Sequence, residues 1–307
     1  MGNIVDSILY QPPKPTPIKE SRIIWIQTKT QSRIPTIFIP FESNDGDDEI
    51  PTSRSSSSQS NPLTILYSHA NSEDLGHIYP WCKYLSKKLR VNIFAYDYTG
   101  YGLAYPQGPP TESQCYADID AAYTYLRHTL HIPAHEIVLY GRSLGTGPSS
   151  YLASSFSDHT KDSVDKQQQV FLGGLILHAP FTSVYRIVID AGCTLLGDPF
   201  PNIDFFQQIH IPTLLIHGTK DDIVPIQHSI TLLDSLRPEL RATPFFREMK
   251  HNSVPLRFRQ EFITHLNQYL DTYVRCTKSQ GVDTNNGGDV NQREMKKDEK
   301  GQYYSKV

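Results

Sequence analysis

The chain has 307 residues, a formal net charge of −3 and a pI near 6.4, which argues against nucleic acid as a partner and leaves room for one large α/β domain or two small ones. Four cysteines, Cys82, Cys115, Cys193 and Cys276, stand far apart with no C-x-x-C spacing, so neither a disulfide framework nor a zinc site is expected. With no apolar run of transmembrane length and no secretory layout at the start, the expectation is a soluble cytoplasmic chain with at most peripheral membrane contact.

Residues 1–19 read as a lead-in whose segment Gln11-Pro12-Pro13-Lys14-Pro15-Thr16-Pro17 is stiff and extended. Two β-rich runs, Arg22–Thr28 and Ile34–Pro40, predict a hairpin at a sheet edge. Residues 42–61 carry Asp45, Asp47, Asp48, Glu49 and the run Ser55–Ser58, with nothing to bury, and read as a disordered surface loop. From Leu63 onward, strand-like runs at 63–68, 91–97, 136–141, 172–178, 212–217 and 244–249 alternate with helix-like segments at 77–89, 113–130, 145–156, 226–236 and 256–274. Such alternation predicts a mostly parallel sheet with helices on both faces. The folded domain is expected over 20–276, with a disordered Gly/Asn/Asp/Lys-rich tail over 277–307.

In such sheets chemistry collects at the carboxyl ends of the strands. The residues just past those ends are His69-Ala70-Asn71, Asp97, Ser143, His178, Asp221 or Asp222, and His251. Ser143 sits in Gly141-Arg142-Ser143-Leu144-Gly145, a G-x-S-x-G pentapeptide after a strand and before a helix. A serine hydroxyl becomes a useful nucleophile when a tight turn holds it above the sheet beside a base, and such a turn needs small neighbours. The base is assigned to His251, at the end of the last strand, and the carboxylate that orients it to the loop after strand 212–217. The chain order Ser, Asp, His is that of the α/β-hydrolase fold. Asp221 is favoured over Asp222, because successive residues in an extended turn point opposite ways and the spacing G-x-x-D-x-x-V-P puts Asp221 at the apex.

A tetrahedral intermediate needs donors for its oxyanion. The backbone N–H of Leu144 is one, and the second is sought at Ala70 or Asn71, with Asn71 preferred and its side chain given no part. His178 is read as a wall or core histidine, Asp97 as a residue that bonds loop amides, and Cys193 as a small apolar residue. The glycines at 141–147 fit neither a P-loop nor G-x-G-x-x-G, and no H-E-x-x-H is present; no cofactor or metal is expected.

Tyr67-Ser68-His69-Ala70-Asn71-Ser72-Glu73-Asp74-Leu75-Gly76, Tyr96-Asp97-Tyr98-Thr99-Gly100-Tyr101-Gly102, Gly141–Gly147 and His217-Gly218-Thr219-Lys220-Asp221 together resemble the alpha/beta-hydrolase domain-containing protein 17 family, as does Asp198-Pro199-Phe200-Pro201-Asn202-Ile203-Asp204 in the cap. The likeness runs from about residue 20 to residue 275. It implies an α/β-hydrolase fold with a central sheet of about eight strands and a small cap at 181–210, between strands six and seven. It also implies a serine hydrolase that removes palmitate from cysteine thioesters of membrane-associated proteins, with Ser143, Asp221 and His251 as nucleophile, acid and base. This chain departs from the family pattern at Ala70, where the family has Gly, and at Met249-Lys250, where the family has a glycine-rich approach. It also has no cysteine before Cys82 to match the family's palmitoylated N-terminal cluster. Gly2 offers an alternative lipid site, although Asp6 holds the position that prefers Ser or Thr; otherwise Ile4, Val5, Ile8 and Leu9 form a short apolar face. The expected partner is an S-acylated protein or lipid-like acyl substrate, met by a monomer. A lipid or small-ester hydrolase and a catalytically silent scaffold are the competing readings.

Overall fold

The computed structural model describes residues 9–42, 62–156, 171–188, 197–251, 254, 256–276, 295–297 and 303–305. The expectations for Gly2, for nearly all of the 42–61 loop, for Cys193 and for most of the 277–307 tail lie outside the described residues. Within that tail, Met295–Lys297 pairs antiparallel with Tyr303–Ser305.

Eight strands make the main sheet: β1 (Ile24–Gln27), β2 (Arg33–Ile39), β3 (Thr64–Ser68), β4 (Asn92–Tyr96), β5 (Ile137–Arg142), β6 (Gly174–His178), β7 (Thr213–Gly218) and β8 (Phe245–Arg247). Their spatial order is β1-β2-β4-β3-β5-β6-β7-β8. The hairpin of β1 and β2 is antiparallel at one edge, and every pairing from β4 to β8 is parallel. Parallel strands force each connection to cross a face, and helices cover both.

Side chains alternate between the faces with a period of two. Ile65, Tyr67, Val138, Tyr140, Ile176, Leu214 and Ile216 enter one apolar core with α1 (Leu75–Leu89) and α7 (Leu256–Tyr269). Leu66, Leu139, Leu175, Leu177 and Leu215 enter the other with α2 (Glu112–Thr124), α3 (Thr146–Ser155) and α6 (Gln227–Ser235). In α1 the buried residues Leu75, Ile78, Cys82, Leu85 and Leu89 recur every three or four positions, the stripe a helix needs to lie on a sheet. Burying each of the larger ones stabilises the fold by about 1.5–3 kcal/mol, so Leu85→Ala would cost roughly 2–5 kcal/mol. Asp74 caps this helix by accepting the His77 N–H at 2.9 Å, and Thr111 caps α2 by accepting from Gln114. Such caps contribute about 1 kcal/mol each.

Between β6 and β7 the described chain forms two one-turn helices, α4 (Val184–Val188) and α5 (Asn202–Phe206). Phe200 and Phe206 are buried in the core beside α3, which ties this segment to the helix that follows Ser143. Residues 9–16 also lie against the domain: Tyr10 is buried, and the Thr16 N–H donates to Asp74 Oδ2. No described helix is long and apolar enough to cross a membrane.

Candidate active site

At the end of β5 the backbone turns sharply into α3, and Ser143 takes φ = 49°. A serine held in the left-handed region costs roughly 1–3 kcal/mol, a strain that packing on both sides sustains. Gly145 lies so close to β3 that a Cβ there would overlap the Ser68 carbonyl. Substituting it would push the turn off the sheet.

The strained turn places Ser143 Oγ 2.8 Å from His251 Nε2, and His251 Nδ1 is 2.8 Å from Asp221 Oδ2. With the carboxylate as acceptor, Nδ1–H donates to Asp221 and Nε2 is free to accept the serine proton. The acid and base loops are held to one another by backbone bonds: Thr219 N–H donates to the Arg247 carbonyl at 2.7 Å and Lys220 N–H to the Met249 carbonyl at 3.2 Å. Gly218 permits that approach, since a Cβ there would overlap the Met249 carbonyl.

Asp221 is buried, and burial alone would push its carboxyl up. The opposing hydrogen bonds from His217, His251 and the Val224 and Ile223 amides hold it well below the usual carboxylate range. His217 reaches Asp221 Oδ2 at 3.4 Å, with its Nε2 also facing the Val224 carbonyl at 2.9 Å and its Nδ1 facing Ser229 Oγ at 2.6 Å. No role for His217 is apparent from the sequence alone, although its place at the end of β7, four residues before the acid, is a signal that marks it. Asp222 points away, its side chain 63% exposed and 3.8 Å from Lys250 Nζ. Of the two adjacent acids, the one that reaches His251 is Asp221.

For the oxyanion, Leu144 follows the turn and is buried. The Ala70 N–H is engaged by Glu73 Oε2 at 2.9 Å. The Asn71 side chain departs from expectation. Its Oδ1 accepts from Gln11 N–H at 3.0 Å and from Tyr101 Oη at 2.5 Å, and its Nδ2 donates to the Leu9 carbonyl at 2.6 Å. Side-chain identity therefore matters here, because it ties residues 9–11 to the loop that carries the amide.

The other strand-end residues serve the scaffold. His178 is buried, bonded to Tyr140 Oη at 3.2 Å and packed on Phe262, and burial pushes its imidazole well down. Asp97 accepts the Leu75 N–H at 2.8 Å. Cys82 and Cys115 are buried, and burial pushes both thiols up, which removes thiolate character.

No family model matches the chain. Among curated proteins it is 35% identical to human alpha/beta hydrolase domain-containing protein 17B over 209 residues, 67% of this chain and 66% of that protein. It is 33% identical to mouse alpha/beta hydrolase domain-containing protein 17C, over 69% of this chain and 60% of that protein. The match thus spans just under two thirds of these relatives' own length. Among solved structures, an esterase of Pyrococcus furiosus superposes with a TM-score of 0.61 at 14% identity, covering 86% of this chain and 99% of the other. The esterase domain of a Rhodothermus marinus protein gives 0.53 at 16% identity, covering 82% and 98%. Identities this low speak to the fold alone. Taken with the sheet order and the likeness to the curated relatives, the chain has an α/β-hydrolase fold and belongs to the alpha/beta hydrolase domain-containing protein 17 family.

Proposed function

We propose that this chain is a serine hydrolase that cleaves long-chain acyl thioesters, removing palmitate-like groups from cysteines of membrane-associated proteins. The observation that carries the reading is the hydrogen-bonded series Asp221–His251–Ser143, with both links at 2.8 Å. Ser143 Oγ attacks the thioester carbonyl carbon while His251 Nε2 takes its proton, and Asp221 stabilises the imidazolium that forms. The carbonyl oxygen, now an oxyanion, is held by the Leu144 and Asn71 amides. Collapse of the intermediate breaks the carbon–sulfur bond, and His251 returns its proton to the departing cysteine. Water, activated by the same histidine, then hydrolyses the acyl-serine and releases the fatty acid.

Support for an acylated substrate comes from membership of a family whose pattern this chain follows around Ser143 and Asp221. Such a substrate places the enzyme on the cytoplasmic face of membranes. The test is an acyl-chain profile of kcat/KM on matched cysteine thioesters and oxyesters, with Ser143→Ala as control. A maximum on C14–C18 thioester peptides is expected. A maximum on short oxyesters would replace depalmitoylation with small-ester hydrolysis, and no Ser143-dependent turnover on any substrate would return the chain to a scaffold.

A further inference from the structure

Beneath the Asp221–His251–Ser143 series lies an ion pair that the mechanism above does not use. Arg142, the last residue of β5, has a side chain 12% exposed, and Glu73, on the loop after β3, has one 13% exposed. Arg142 Nη1 donates to Glu73 Oε1, and Nη2 donates to the His251 carbonyl at 3.2 Å. The second carboxylate oxygen of Glu73 accepts the Ala70 N–H at 2.9 Å. One pair therefore touches three loops: the turn that carries Ser143, the loop that carries the Asn71 amide, and the loop that carries His251.

We propose that Glu73 and Arg142 are positioning residues that lock the oxyanion loop and the histidine loop to the nucleophile turn, with Glu73 also neutralising the guanidinium beside the base. The proposal rests on the serine-hydrolase reading and adds to it a pair of residues for which the nucleophile, acid, base and oxyanion donors do not account. Two physical consequences follow. A bidentate acceptor that fills both its oxygens from different loops fixes their separation, and a misplacement of about 1 Å at a reacting group can cost roughly a hundredfold in rate. A buried guanidinium without its partner would oppose positive charge on the adjacent imidazole, which must form as Ser143 attacks. Among the described residues, the titratable groups facing His251 are Asp221 from the β7 loop, His178 at the end of β6 and Arg142 at the end of β5, with His217 behind Asp221 and Glu73 behind Arg142. Glu73 is therefore the one carboxylate placed to offset Arg142. Burial would push the Glu73 carboxyl up, but the guanidinium and the Ala70 amide hold it below its ordinary value, so it carries its charge at neutral pH.

The experiment compares the wild type with Glu73→Gln, Arg142→Met and the double variant. Three things are read: the second-order rate of fluorophosphonate labelling from pH 5 to 9, kcat and KM on a soluble acyl thioester, and the thermal midpoint. Glu73→Gln should lower kcat about 10- to 100-fold with KM within about threefold, and should move the acid limb of the labelling profile to lower pH. In the double variant, which leaves no unpaired buried charge, the limb should return to its wild-type position while kcat stays low. A merely structural pair would lower the midpoint without moving the limb. A folded Glu73→Gln protein with wild-type kcat and an unmoved limb would overturn the proposal. Should that variant not fold, a folded double variant with wild-type kcat would overturn it equally. Failure of the wild type to label would instead overturn the hydrolase reading on which the pair's role rests.

Discussion

Asp97 and Asp221 follow two strands of one sheet, have side chains 2% and 1% exposed, and face two backbone amides each, with one imidazole beside Asp97 and two beside Asp221. Their carboxyls are nonetheless pushed in opposite directions. Burial pushes the Asp97 carboxyl well above the usual range; the Leu75 and Leu103 amides oppose this, but the nearby charge of Asp74 reinforces it. His69 offers no relief. Its Nδ1 lies 2.8 Å from the Ala70 carbonyl and so bears the proton, leaving an Nε2 lone pair 3.5 Å from Asp97 Oδ1. Asp221, on a less deeply buried residue, faces two imidazole N–H groups instead of a lone pair, and stays ionised. Deeper burial without a donor imidazole pushes one carboxyl up, and shallower burial with two such donors holds the other down, where it can stabilise an imidazolium.

The largest effect is expected at Asp221. Asp221→Asn should lower kcat by about two to four orders of magnitude, because the histidine loses both its tautomer lock and its counter-charge. Asp97→Asn should stay within about tenfold, since an amide oxygen can accept the Leu75 N–H as the carboxyl does, and exposed Asp222→Asn should also stay within about tenfold. Steady-state kinetics of the three variants decide this, and equal losses at Asp97 and Asp221 would break the comparison.

A smaller effect is expected at Asn71. Its three side-chain hydrogen bonds hold residues 9–11 and Tyr101 against the oxyanion loop. Asn71→Ala keeps the backbone amide but loosens the loop, and should lower kcat about tenfold with little change in KM. A wild-type kcat would show that the loop is held without its side-chain anchor.

The smallest effects are in stability. A carboxyl raised in the folded state holds more protons folded than unfolded, so its contribution falls as pH rises above the unfolded value of about 4. The thermal midpoint of the wild type minus that of Asp97→Asn should therefore decrease by a few degrees between pH 4 and pH 8. A carboxyl lowered in the folded state contributes stability that is fully present above about pH 4 and is lost only as pH falls through its folded value. The corresponding difference for Asp221→Asn should be flat from pH 5 to pH 8. Parallel profiles for the two variants would mean that both carboxyls carry the same charge.

Much of this architecture was legible in the sequence, because period-two apolar runs separated by helical stretches leave few alternatives to a covered parallel sheet. The convergence of Ser143, Asp221 and His251 was legible for a related reason: residue types that need one another stand at the ends of successive strands. The pair Glu73–Arg142 was not. Its partners lie 69 residues apart, and each sits inside a motif whose other residues drew the reading. A charged side chain at the inner end of a central strand, such as Arg142, demands a buried counter-ion, and that demand was the available signal. His217 was missed because a strand-end histidine has many uses and only geometry shows it facing the acid. The Asn71 side chain was missed because two of its three hydrogen bonds come from residues 9–11, in the segment read as a lead-in.

The most direct test of the account is intact-protein mass spectrometry after brief fluorophosphonate treatment, followed by peptide mapping. A single adduct on Ser143 is expected, absent in Ser143→Ala and formed at least about a thousandfold more slowly in His251→Ala, with turnover of the Ser143→Ala/His251→Ala double variant little below either single one. No adduct, an adduct on another residue, or a Ser143→Ala enzyme retaining more than about a tenth of wild-type turnover would contradict a serine mechanism built on Asp221, His251 and Ser143.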